Sequence, residues 1–515
     1  MTPLVIVIIY LGLLLALGLV SSRFFRGTSR DFFVASHSIG PFLLLMSVFG
    51  TTMTAFALVG STGKAYTNGI GVYGLMASSS GLVHAAVFFL IGIRLWAYGK
   101  KYGYVTQIQF FRDRFESNNL GYLLFPILVG LVIPYLLIGV VGAGKVIQPV
   151  TKGAFPALFP HPKFAGGIPP WVTGLVICAV VLIYVFQGGS RGAAWANTFQ
   201  TLVFMTMGVL AFVLIARQLG GAASATEAVL AKAPDHLARE GLITQRQFLS
   251  YLLIPLSVGM FPHLFQHWLT ARSAKTFRLT VIAHPVFIMI VWVPTVLIGI
   301  WAVGHGIKAP PNAVLGATVA RLVHNPIITG LVTAGILAAI MSSLDSQFLC
   351  LGTIFTNDVV LHRAGKGRYS DQQIILMARV FIIAVVAVTY GLAMLADKYE
   401  MPIFDLAIWS FSGYAALFPL VFAAVYWRRT TKAGAYASII AAMAVWLYYF
   451  RASGWGGEYT VWGGVMPVAL CFAAAAVALI VVSLATAPPS AATVEKFFPT
   501  AQKPEAAPSK APVSA

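Results

Sequence analysis

The chain is a succession of long apolar runs separated by short polar stretches. At about twenty residues per helical crossing of a bilayer, the runs predict about thirteen spans. They fall near 3–20, 41–66, 72–96, 120–148, 170–187, 192–216, 248–271, 279–304, 327–356, 373–396, 403–427, 433–452 and 462–485. The runs are continuous and do not alternate in short segments, which excludes an outer-membrane barrel and gives an all-α integral membrane protein. Thr2 to Val20 has neither a basic leader nor a cleavage site, so it reads as a first span and not as a signal peptide.

Two spans break the pattern. The second carries Phe49-Gly50-Thr51-Thr52-Met53-Thr54-Ala55-Phe56 at mid-depth and then Gly60 and Gly63. Unwound backbone at membrane depth is tolerated only where it is buried in protein or lines a cavity. Taken alone, this stretch fits a glycine-rich packing seam equally well. Five spans later, Pro255, Gly259 and Pro262 interrupt another span, removing helical hydrogen bonds. Paired broken segments at matching places point to a transporter built from inverted repeats, with its site at the midplane between them. The repeats would be 41–216 and 248–427, with extra helices 3–20, 433–452 and 462–485, all in one transporter domain spanning 1–486. From 487 to 515 the chain is rich in Ala, Pro, Ser and Lys and reads as a disordered cytoplasmic tail.

In the span 327–356, Ala339, Ser342, Ser343 and Ser346 share one helical stripe, since i, i+3, i+4 and i+7 lie on one face. A lone stripe of this kind reads as a packing face. The paired interruptions shift the reading towards a site for a hard cation, which takes oxygen ligands. Asp345 lies off the stripe and is read as structural or gating.

Composition agrees: 59% of the residues are hydrophobic and 10% charged. The formal charge of +19 needs no nucleic-acid partner. Arg23, Lys100, Lys101, Arg112, Arg114, Arg272, Lys275, Arg278, Arg428, Arg429 and Lys432 fall mostly in alternate loops on one side. The positive-inside rule makes that side cytoplasmic, with the N-terminus outside and the C-terminus inside a multi-pass cell (inner) membrane protein. Thr106 to Phe115 reads as a solvated linker, Gly221 to Gln247 as a polar external loop, and Lys64 as an interfacial residue reaching for water. Cys178, Cys350 and Cys471 have no metal-ligand spacing. No HExxH, GxSxG or intramembrane aspartate pair is present, so an enzyme is not expected.

Motifs in order along the chain carry a family resemblance. They are Asp31-Phe-Phe-Val34; Gly50-Thr-Thr-Met53-Thr-Ala55 with Gly60 and Lys64-Ala-Tyr66; Arg114-Phe115; Gly188-Gly189, Trp195 and Gln200; and Gly259, Pro262-His263 and Arg272-Ser273. Ala339-Ile-Met-Ser342-Ser343 with Asp345-Ser346, Phe355-Thr-Asn-Asp358, and Tyr426-Trp-Arg428 with Lys432-Ala-Gly434 complete the set. On these the chain resembles the sodium:solute symporter family from Asp31 to Gly434. The resemblance implies a leucine-transporter-like fold of five-plus-five inverted repeats and sodium-coupled symport of a small organic solute by alternating access. It also implies a sodium ion held by the carbonyls of Gly50, Met53 and Ala339 and the hydroxyls of Ser342 and Ser343. Two departures stand out. Family members commonly have Trp-Thr-Asp where this chain has Trp195-Ala196-Asn197, which puts a second ion site in doubt. Sugar-binding relatives carry a polar pair where this chain has Phe56-Ala57, so sugars are not expected.

The candidate solute pocket comprises Thr51, Thr52, Thr54 and Phe56 on the first broken helix, Tyr135, and Phe261, His263 and Gln266 on the second. Small, aromatic and hydroxylated groups suit a monocarboxylate or amino-acid-like solute, whose carboxylate half-helix N-termini can hold. Proton coupling, or uncoupled facilitation of the same solutes, is the alternative. Beyond solute and membrane lipid, no protein partner is evident.

Overall fold

The computed structural model describes residues 1–499 except 24, 26, 240, 241 and 366. Among the described residues the secondary structure is helical, with two isolated bridges (Ile39 with Ala271, Val461 with Val465) in place of strands. Ten helices among the described residues are long and apolar enough to cross a membrane, or up to twelve if each of two bent pairs is one span. The sequence pattern counted 170–187 and 192–216 separately, whereas the chain here runs as one element, Pro170–Gln218. A straight helix of 49 residues would be about 74 Å long, far more than a bilayer's hydrocarbon. Gly189, at φ 51° and ψ −148°, interrupts it. A Cβ at Gly189 would lie 2.8 Å from the Phe32 carbonyl oxygen, so glycine supplies both the backbone angle and the close approach.

Both interruptions read from the sequence are present. Pro41–Thr52 bends by 58° into Phe56–Asn68. Met53 is extended at φ −92°, ψ 106°, and the Thr54 hydroxyl accepts the Phe56 N–H at 3.0 Å in place of a helical carbonyl. The segment Gln245–Gly259 bends by 49° into Pro262–Thr270. Phe261 is extended, and Pro262 begins the new helix where its missing N–H is no loss. Between the breaks runs the serine helix, Pro326–Ile354, capped by the Asn325 side chain and buried almost continuously from Thr329 to Ile354. A helix enclosed on all sides must find partners for its polar groups within the bundle.

Two expectations are corrected. The stretch Thr106 to Phe115 is no solvated linker: Gln107–Arg114 is a helix with Phe110, Phe111, Arg112 and Arg114 buried. Arg112 pairs with the Asp358 carboxylate at 3.0 Å, and Arg114 donates to the Ala424 carbonyl at 2.9 Å. The tail is ordered over 487–499, where Ala491–Phe497 is a helix. Phe497 is buried against Tyr98, Tyr102 and Phe110, and Lys496 Nζ meets the two Asp113 oxygens at 2.7 and 2.5 Å. Hydroxyl bonds from Ser490 and Thr493 hold the Glu116 carboxyl below the usual carboxylate range. A short helix offering one aromatic and one cation can dock wherever tertiary structure presents an aromatic cage beside an acid, and composition alone gives no sign of that. Residues 500–515 of the expected tail lie outside the described residues.

Candidate functional site

The first break and the serine helix meet through one side chain. Ser342 Oγ donates to the Gly50 carbonyl at 2.8 Å and contacts the Ala339 carbonyl at 2.9 Å. Three of the five expected ion oxygens are thereby brought together, all in buried residues. Gly50 permits the approach on its other side as well: a Cβ there would lie 2.6 Å from Thr201 Oγ1 on Pro170–Gln218. Met53 ends the helix Pro41–Thr52 and its N–H bonds back to Gly50 and Phe49. Ser343 differs from the expectation. Its hydroxyl turns to the Ile340 carbonyl at 2.9 Å on its own helix, as a helical serine does when a carbonyl three residues back is within reach.

One turn further, Ser346 leads into a second polar group. Its hydroxyl donates to Asp345 Oδ1 at 2.9 Å and meets His267 Nε2 at 2.9 Å. Asp345 is wholly buried and accepts from Tyr184 Oη at 2.9 Å. With the Asn197 amide nitrogen facing it, Asn197 donates to both Asp345 oxygens at 3.0 and 3.1 Å. A buried carboxylate needs partners, and this one has two hydroxyls and an amide. This knot links the serine helix, the second broken helix and Pro170–Gln218. Asn197 and Tyr184 were not visible as its members from local spacing.

The solute candidates divide. Tyr135, Phe261 and His263 form one aromatic box, with ring centroids 5.6 Å apart for Tyr135–Phe261, 5.8 Å for Tyr135–His263 and 5.1 Å for Phe261–His263. Phe411, on Ile403–Ala416, closes the box at 4.9 Å from Tyr135 and 5.1 Å from Phe56. Tyr414 stands edge-on to Phe261 at 5.0 Å. Sequence reasoning missed Phe411 and Tyr414, although Phe404 and Phe411, seven apart, already mark one helical face. Thr51 Oγ1 and both ring nitrogens of His263 are buried without a hydrogen-bond partner among the described residues. Tyr135 Oη reaches the Thr51 carbonyl at 3.5 Å. Thr52 donates back to the Phe49 carbonyl, and Thr54 accepts the Phe56 N–H while its hydroxyl faces Tyr135. Gln266 is elsewhere: its amide donates to the Phe33 carbonyl at 2.5 Å and to Thr353 Oγ1 at 2.9 Å, tying the second broken helix to the segment before the first.

Lys64 also departs from expectation. Instead of reaching for water it is buried, 2.7 Å from Glu458 and 3.7 Å from Asp405.

A model of the sodium:solute symporter family matches residues 32–442. The chain is similar to the sodium/proline symporter of Escherichia coli (strain K12), 25% identical over 520 aligned positions that cover 96% of each chain. It is also similar to the sodium/proline symporter of Staphylococcus aureus (strain JH9), 24% identical over 474 positions, 87% of this chain and 86% of that one. A Na+-coupled sialic acid symporter, solved in a substrate-bound outward-open state, superposes with TM-score 0.75 at 18% identity over 95% of this chain and 99% of that one. A nucleobase-cation-symport-1 family transporter in a closed conformation gives 0.57 at 12% identity, over 91% and 95%. The structural likeness carries the fold, and it is of the leucine-transporter-like kind expected from the motifs.

Proposed function

This chain belongs to the sodium:solute symporter family, and from that membership we infer a multi-pass membrane transporter that couples sodium entry to uptake of a small organic solute. The observation that carries the ion site is the Ser342 hydroxyl between the Gly50 and Ala339 carbonyls. That bridge joins the first broken helix to the serine helix with one proton. When sodium arrives as co-substrate, Ser342 turns its proton away, and three oxygens face the ion. Met53 O and, after rotation off Ile340, Ser343 Oγ complete an uncharged set of five. Sodium prefers oxygen ligands, and a site without formal charge binds it weakly enough to release it each cycle. Ion binding then draws the same two elements together that alternating access must lock.

The solute site proposed here is the aromatic box with Thr51 and His263. Buried polar atoms without partners are rare, and each demands an occupant or an explanation. A solute with one polar end and a small apolar body supplies both, with its carboxylate at the N-terminus of Pro262–Thr270. An amino-acid-like or monocarboxylate solute fits, and the sodium/proline symporters among its relatives favour the former. The two inverted repeats are taken as 41–216 and 248–427. The basic loops put the N-terminus outside and the C-terminus in the cytoplasm, so Lys64 faces the outer side. The test is uptake by proteoliposomes against a solute panel led by L-proline, with and without an inward sodium gradient. Uptake indifferent to that gradient for every solute overturns the coupling.

A further inference from the structure

Between Phe418–Tyr426 and Pro467–Ala485 lies a groove of about 530 Å3 that neither the ion site nor the aromatic box uses. Phe418, Phe422, Trp427, Phe472, Ala476 and Ile480 line it, so its walls are aromatic and aliphatic. Phe422 and Ile480 are 45% and 48% exposed, and the groove therefore opens on the outer surface of the bundle, where acyl chains lie. A Cβ at Gly259 would lie 2.8 Å from the Phe418 ring, which puts the groove one ring away from the second break.

One end of the groove runs into a basic loop. Arg429 Nη2 donates to the Thr486 carbonyl at 2.7 Å and to the Leu484 carbonyl at 3.3 Å, so both helices reach that end and are tied there. Arg429 Nη1 is buried without a hydrogen-bond partner among the described residues. Arg428 and Lys432 are exposed. Among the described residues none of these three cations is in an ion pair. Glu116 feels the charge of Lys432, but its carboxyl is already held by Ser490 and Thr493. Lys432 also opens the helix Lys432–Ala452, whose N-terminus adds partial positive charge.

An apolar groove that ends at unpaired cations matches a molecule with long apolar chains and an anionic head. We propose that this groove seats one anionic phospholipid, its acyl chain between Phe422 and Ile480 and its phosphate at Arg428 and Lys432. Arg429, fixed to both helices, adds a third charge nearby. Trp427 stands where chain gives way to headgroup, a depth that tryptophan favours. A zwitterionic lipid offers the same chains but brings a cation of its own to the basic loop, so the loop discriminates between the two headgroups.

The test uses the purified full-length chain in detergent, titrated with phosphatidylglycerol or with phosphatidylcholine, and bound lipid is counted by native mass spectrometry. Wild type should retain phosphatidylglycerol roughly 25-fold more tightly, about fivefold for each of the exposed Arg428 and Lys432. Arg428→Gln combined with Lys432→Gln should lose that preference. Arg428→Lys combined with Lys432→Arg should keep it, which separates charge from folding. Ala476→Trp fills the groove while leaving the charges in place, and should lower retention of both lipids. A photoactivatable phosphatidylglycerol should label wild type within 418–432 and 467–486. Equal retention of the two lipids by wild type would overturn the proposal, and so would labelling spread evenly along the chain. A wild-type dimer that Ala476→Trp dissolves would overturn it too, because a second copy of the chain would then cover the groove.

Discussion

Ser342→Ala puts the ion site to its most direct test. The hydroxyl touches both the Gly50 carbonyl, at 2.8 Å and 292 residues away along the chain, and the Ala339 carbonyl, at 2.9 Å. Removing it costs the unloaded protein little. Gly50 O still accepts the Met53 N–H at 3.3 Å, and Ala339 O retains its helical bond. The lost neutral hydrogen bond is worth about 1 kcal/mol. The loaded state loses an oxygen ligand from an uncharged site of five, and backbone carbonyls fixed in helices cannot move to replace it. A hydrogen-bond-strength contact to a charge is worth about 1.5–3 kcal/mol, or roughly ten- to hundred-fold in affinity. The sodium concentration for half-maximal uptake should rise by about that factor, while solute KM at saturating sodium changes far less. The assay is a sodium titration of uptake in proteoliposomes at matched protein content. Ser343→Ala, whose hydroxyl must first leave Ile340, should give the smaller rise of the two. An unchanged sodium curve for Ser342→Ala, with only the melting temperature lowered, would refute the site and make the stripe a packing face.

Pro262→Ala should release the fixed φ that starts the new helix at the second break and lower the transport rate without loss of membrane insertion, as a rate measurement with quantified protein would show; normal transport would mean the break is not held by Pro262. Gly259→Ala should be the more disruptive of the two, because a Cβ there would lie 2.8 Å from the Phe418 ring, and thermal unfolding of the pair ranks them. One sodium per solute is expected, since hydroxyls of Tyr184 and Ser346 and the Asn197 amide already occupy the Asp345 oxygens; a two-to-one ratio from reversal potentials would show that this carboxylate takes an ion. Phe497→Ala should loosen the tail helix, because truncating a buried Phe costs about 3–5 kcal/mol, more than the part-exposed Lys496–Asp113 pair supplies. Faster tryptic cleavage at Lys496 is the readout, and unchanged cleavage would contradict docking through the aromatic cage.

The sequence by itself determined whatever depends on neighbours along one helix. Apolar run length fixed an all-α membrane protein, and Pro262 with Gly259, and Gly50 with its threonines, marked the two breaks. Those signals are local: proline lacks an N–H wherever it falls, and i, i+3, i+4 spacing puts Ala339, Ser342 and Ser343 on one face in any helix. The tertiary structure decided which of these groups meet. It bridged Ser342 to Gly50 but turned Ser343 back on Ile340, and it sent Gln266 to Phe33, 233 residues away. It buried Arg112 against Asp358 and Lys64 against Asp405 and Glu458, where charge alone suggested solvent. It also gave Phe497 a cage built from residues almost four hundred positions earlier. A buried polar or aromatic group is satisfied by whatever atom the packed bundle presents, and that atom is set by how helices cross, which no single helix encodes.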